Sequence, residues 1–131
     1  MTLTNYRILH SQLIELYQWI EFDLEDLYAA LSGDPFHKAL QEIERDSIGG
    51  VVREIRRIEN KRKITVFSDA EYAQLDQIRE RRNFWCHVCY TEAYDDHTGA
   101  PANAILLPAD LHKAQEILTW LRQIKDMYMR Q

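Results

Sequence analysis

The chain has 131 residues, of which 46% are hydrophobic and 28% charged, with four glycines and three prolines. That length suits one domain spanning residues 1–131; the composition is too apolar for disorder and too poor in turn residues for a sandwich of short strands. A formal net charge of −5 argues against broad adhesion to nucleic acid, which needs clustered Lys and Arg, but leaves room for a local basic patch.

Residues 5–31 carry Ile8, Leu9, Leu13, Leu16, Tyr17, Ile20, Leu24, Leu27, Tyr28 and Leu31 at helical spacing, an apolar stripe opposite a polar face. "SGDP" at 32–35 stops this helix: Gly33 suits a left-handed C-cap, Asp34 an N-cap and Pro35 the first position of the next helix. The second helix is expected over 35–62, with a kink or a close helix approach at Gly49 and Gly50, since glycine costs about 1 kcal/mol against alanine inside a helix. "ITVF" at 64–67 reads as a connector. "SDAE" at 68–71 has the form of a capping box, Ser68 and Glu71 each reaching the other's backbone, and opens a third helix expected over 69–94. A loop with Gly99, Pro101 and Pro108 precedes a last helix over 109–129. The pattern predicts an all-α fold, an antiparallel up-and-down four-helix bundle that dimerises. The competing arrangement is a pair of helical hairpins whose core is completed only on dimerisation.

No run long enough for a membrane span occurs, and "MTLTNYRILHSQ" lacks the apolar centre of a signal peptide. Two cysteines three apart make no disulfide framework. The expectation is a cytoplasmic protein with no membrane partner.

"RRNFWCHVCY", residues 81–90, concentrates the unusual chemistry. On a continuous helix Arg79, Arg82, Asn83, His87, Tyr90 and Tyr94 share one broad polar face, while Ile78, Trp85 and Cys89 face the core. Phe84 and Val88 form a second apolar ridge, as on a helix covered from more than one side. An imidazole transfers protons near neutral pH, and a guanidinium stabilises charge on phosphoryl oxygens. Together they are the least equipment needed to work on a phosphodiester. The plainer readings are a structural histidine bonded to a neighbouring helix and arginines paired with Asp76 or Glu80. Cys86, His87, Cys89 and His97 bring zinc to mind, but no second cysteine pair closes a four-ligand shell, so no metal and no cofactor are expected.

"RNFWCH", Arg82 to His87 with polar Asn83 directly after the arginine, resembles the motif of the HEPN superfamily. These are compact helical domains found in toxin–antitoxin, abortive-infection and CRISPR-associated ribonucleases. In one toxin branch a tyrosine stands two residues after the histidine; here that position is Cys89, and Tyr90 follows. The resemblance implies a homodimer whose two motifs meet and cleave RNA without a metal, with an antitoxin protein as a further partner. It implies His87 as general base on the ribose 2′-OH, Arg82 holding the phosphoryl oxygens, Asn83 orienting the imidazole or contacting phosphate, and Tyr90 as an auxiliary donor. Arg53, Arg56 and Arg57, with Arg79, are weaker candidates for guiding the RNA backbone. The alternative function is a non-catalytic helical module that binds a partner protein or a nucleotide.

Overall fold

The first helix, α1 (Leu3–Leu31), starts where Thr2 accepts a hydrogen bond from the Asn5 N–H at 3.1 Å. This computed structural model describes residues 1–44 and 46–130. Four further helices follow: α2 (Phe36–Ile43), α3 (Ile48–Arg62), α4 (Asp69–His87) and α5 (Leu107–Met129). Single 3-10 turns occupy Cys89–Thr91 and Ala102–Leu106. Among the described residues there is no strand, only an isolated bridge between Tyr94 and Pro101. The all-helical class stands; among the described residues there are five helices, against the four expected.

The extra helix comes from a break at Glu44, Asp46 and Ser47 in the segment expected to run unbroken from 35 to 62. Glu44 leaves α2 with ψ 134°, and Ser47 turns extended and caps α3 through a bond from the Gly50 N–H. The glycines therefore do not kink a helix midway; they lie in the first turn of α3. An Asp–Ser pair ahead of an apolar run is itself a helix-start signal. α3 runs in the same direction as α1. The α3 C-terminal Arg62 reaches Gly33, just past the end of α1, where an added Cβ would lie 2.8 Å from its guanidinium. By contrast α4 runs opposite to α1, α3 and α5, as the pairs His10–Trp85, Arg56–Tyr72 and Trp85–Asp110 require. Gly33 does take the left-handed conformation (φ 81°), but Pro35 rather than Asp34 holds the N-cap position of α2.

The buried stripe of α1 is Tyr6, Leu13, Tyr17, Ile20, Leu24, Leu27 and Leu31. Ile8, expected inward, is 52% exposed, and Tyr6 takes the inward place instead. This stripe packs with Ile55, Leu75, Ile78, Trp85, Leu107, Ile117 and Leu121 from the other helices in one core. The connector at 63–68 is held by one buried carboxylate. Glu59 accepts the N–H groups of Val66 (2.7 Å) and Phe67 (3.0 Å) and the hydroxyl of Tyr72 (2.5 Å). The capping box at Ser68 and Glu71 forms as the spacing predicts.

In the C-terminal half of α1, Asp23 accepts from Arg122 and Lys125 of α5, each at 3.1 Å, and Asp26 lies 3.7 Å from the same lysine. Burial pushes the Asp26 carboxyl above its usual range; the Lys125 ammonium opposes this, and Asp23 adds to it. The folded state thus holds the Asp26 proton more tightly than the unfolded chain, so the contribution of this group to stability falls as pH rises from about 4 through the raised value. Asp26→Asn is therefore expected to raise the urea midpoint at pH 7, with the advantage shrinking as pH falls toward 4. An unchanged or lowered midpoint at pH 7 contradicts this.

Candidate active site and basic groove

α4 meets α1 and α5 through paired polar side chains. Arg81 donates to Asp110 through Nε at 2.8 Å, and the Trp85 indole N–H donates to the same carboxylate at 2.6 Å. Arg82 turns the other way and pairs with Glu21 of α1, its closest approach being through Nε. About a third of the Arg82 side chain, 33%, remains exposed.

The helix ends at His87, seven residues short of the end expected from periodicity. Val88 takes a non-helical conformation, and residues 89–91 tighten into a 3-10 turn. Distant groups fix this ending. His10 Nε2 lies 2.8 Å from the Trp85 carbonyl, and the Cys89 thiol donates to that carbonyl at 3.2 Å. Asn103 donates to the Cys89 carbonyl at 2.8 Å and accepts from the Tyr6 hydroxyl at 2.6 Å. The last carbonyls of a helix have no helical partner; here side chains from α1 and from the turn before α5 converge on this end. Since a carbonyl only accepts, His10 Nε2 is the donor in that contact, and Nδ1 faces the Tyr90 hydroxyl, 3.5 Å away.

The predicted residues therefore divide. Asn83 and His87 sit one turn apart on α4, both exposed. Arg79, Asn83 and His87 are spaced four residues apart and form one ridge along α4. Arg82 leaves that ridge toward Glu21. Tyr90 and Tyr94 lie beyond the helix, so their placement on its polar face does not hold. Tyr90 packs edge-on against Tyr6 and His10, with ring centroids 5.4 Å and 5.1 Å apart. Burial pushes its phenol above the usual range, which keeps it protonated at neutral pH. His10 was missed by the sequence reading. Its signal was present: Tyr6, His10, Leu13 and Tyr17 follow the 4-3-4 spacing of a helical face.

A second polar locus lies between α3 and α4, in a groove of about 720 Å³ lined by Gly49, Arg53, Arg56, Tyr72, Asp76 and Arg79 among others. Arg56 lies over the Tyr72 ring at 4.1 Å, and Arg79 donates to Asp76 at 3.0 Å. Gly49 lets α3 and the stem of Arg79 approach. A Cβ there would meet Arg79 Cδ at 3.0 Å and would lie 3.9 Å from the Arg53 guanidinium. Three of the four weaker arginine candidates are thus brought together. Arg57 is not among the groove's lining residues; its mostly exposed side chain pairs with Glu54 at 3.4 Å.

The two cysteines differ sharply. Cys86 is exposed, whereas Cys89 is buried and burial pushes its thiol above the usual range. Iodoacetamide at neutral pH is expected to label Cys86 first, with Cys89 reacting only on unfolding; equal labelling of both in the native protein, read by peptide mass, contradicts this placement. Among the described residues no helix is long and apolar enough to cross a membrane. Comparison with models of protein families, with curated proteins and with solved structures finds no match to this chain.

Proposed function

We propose that the chain is the subunit of a dimeric, metal-independent endoribonuclease, a toxin of a toxin–antitoxin or abortive-infection system. One observation carries the reading. From Arg79 to Tyr90, Arg79, Arg81, Arg82, Trp85, Cys89 and Tyr90 all have polar partners inside the chain, whereas Asn83 and His87 have none among the bonds described. An exposed imidazole and amide one turn apart, set on a helix end whose backbone is itself tightly held, face outward with their polar atoms free to meet a substrate.

In this mechanism His87 takes the proton of a ribose 2′-OH. That oxygen attacks the adjacent phosphorus, the bond to the 5′ oxygen breaks, and a 2′,3′-cyclic phosphate and a free 5′-OH result. The leaving oxygen takes its proton from the second subunit's imidazole. Asn83 orients the ring or contacts phosphate. Arg82 stabilises the phosphoryl oxygens through the third of its side chain that stays exposed beside Glu21. Val88, next to His87, is 43% exposed, and an apolar side chain beside the imidazole is what a subunit contact would cover.

The competing reading, a non-catalytic module that binds a partner protein or a nucleotide, draws on the same ion pair: Glu21 already occupies Arg82. Purified protein incubated with RNA in EDTA separates the two. Cleavage by the wild type and none by His87→Ala supports the nuclease. Intact RNA with both proteins ends that reading and leaves the binding module.

A further inference from the structure

We propose that the groove between α3 and α4 binds the phosphate backbone of single-stranded RNA and delivers it along the Arg79–Asn83–His87 ridge. The choice of RNA as the occupant rests on the nuclease reading; the groove and its charge do not.

The groove brings three guanidinia together and cancels them only in part. Arg53 and Arg79 approach over Gly49, and Arg53 has no ion pair or hydrogen bond among those described. Arg79 is compensated by Asp76, and Asp69 also lines the groove. Three guanidinia against two carboxylates leave a positive excess of one. That limits the groove to one or two phosphate contacts.

Arg56 points to nucleic acid rather than to an acidic peptide. One face of its guanidinium covers Tyr72 while the residue remains exposed, leaving the opposite face open to stack on an unpaired base. Single-stranded RNA is commonly read by such stacking on guanidinium planes and aromatic rings. The path onward is set by helix geometry. His87 stands eight residues beyond Arg79 on the same ridge, roughly 12 Å at 1.5 Å per residue. A strand whose phosphates rest at Arg53 and Arg79 thus passes Asn83 and reaches His87 without leaving α4.

The probe is a short single-stranded RNA, fluorescein-labelled and 2′-O-methylated throughout so that no 2′-OH can attack. Binding to the full chain is read by anisotropy across a salt series. Each phosphate contact contributes a slope of about 0.7 in log affinity against log salt for a single strand, which corresponds to about fivefold at 0.1 M. Arg53→Gln is expected to weaken binding about fivefold and to flatten the slope by about 0.7, whereas Arg56→Gln, which removes a stacking plane, should weaken binding at least about fivefold with a smaller change in slope. Arg53→Lys, which keeps the charge, should retain most of the affinity. Arg57→Gln removes the same charge from the same helix outside the groove and should change neither quantity. Because all three arginines are exposed, the folded state survives, which circular dichroism checks.

The proposal is overturned if Arg53→Gln binds as the wild type does, if Arg57→Gln weakens binding as much, or if adenosine monophosphate binds as tightly as the RNA. The two readings fail separately. Groove-dependent binding of the blocked RNA without cleavage of ordinary RNA sinks the nuclease and keeps the groove. Cleavage of ordinary RNA with an unchanged KM in Arg53→Gln sinks the groove and keeps the nuclease.

Discussion

Replacing His87 by alanine is expected to lower RNA cleavage in EDTA by about a thousandfold or more while leaving the unfolding midpoint unchanged. The activity loss follows from the two roles the imidazole would play, base in one subunit and acid in the other. One positioned proton-transfer group contributes about 10²–10⁴ in rate, and a single substitution removes both. The unchanged stability follows from exposure. His87 makes none of the side-chain bonds that hold the end of α4; those come from His10, Cys89 and Asn103. Surface substitutions away from such features shift stability by about 0.5 kcal/mol or less. Arg82 is expected to behave differently. Arg82→Lys keeps a charge near Glu21 but loses the planar fork. It should cost about tenfold to a hundredfold in kcat, less than the loss on removing an electrostatic stabiliser outright. Cleavage that survives His87→Ala at wild-type rate removes the imidazole from the chemistry altogether.

Glu59→Ala is expected to destabilise the fold by about 4 kcal/mol, read as a lower urea midpoint. The carboxylate satisfies two buried backbone N–H groups and the Tyr72 hydroxyl. Each buried donor left without a partner costs about 1–3 kcal/mol. Water entering the vacated space recovers part of the sum, so the low end of three such losses is the sensible figure. Against a total of roughly 5–15 kcal/mol for a domain, that is a large share. Glu59→Gln keeps one acceptor oxygen and should lose less. A Glu59→Ala midpoint equal to the wild type would show that the 63–68 connector does not depend on this carboxylate. The effect also reaches the basic groove, because Tyr72 is the surface on which Arg56 rests.

Local chemistry was legible in the sequence, and long-range chemistry was not. The capping box at Ser68 and Glu71 and the left-handed Gly33 depend on residues within one turn, and both form as read. The break ahead of α3 was legible in principle from Asp46 and Ser47, but the paired glycines two positions on drew attention to the wrong place. The end of α4 was not legible. Nothing in "WCHVCY" stops a helix by itself; His10 and Asn103 do so from elsewhere in the chain. The candidate site divides along the same line. The ridge of Arg79, Asn83 and His87 follows from spacing alone. The engagement of Arg82 by Glu21, and the meeting of Arg53, Arg56 and Arg79 in one groove that Arg57 does not line, required the packing of α4 against α1 and α3.

The network around the α4 terminus joins Tyr6 near one end of the chain to Asn103 near the other, at 2.6 Å. A polypeptide still emerging from the ribosome has α1 through α4 before residue 103 is available. Contacts so distant in sequence close late, because the loop entropy must be overcome before they form. The corner bearing His87 therefore cannot close until residue 103 has emerged, and a nascent chain that ends at α4 still lacks one of the groups that fix the helix end.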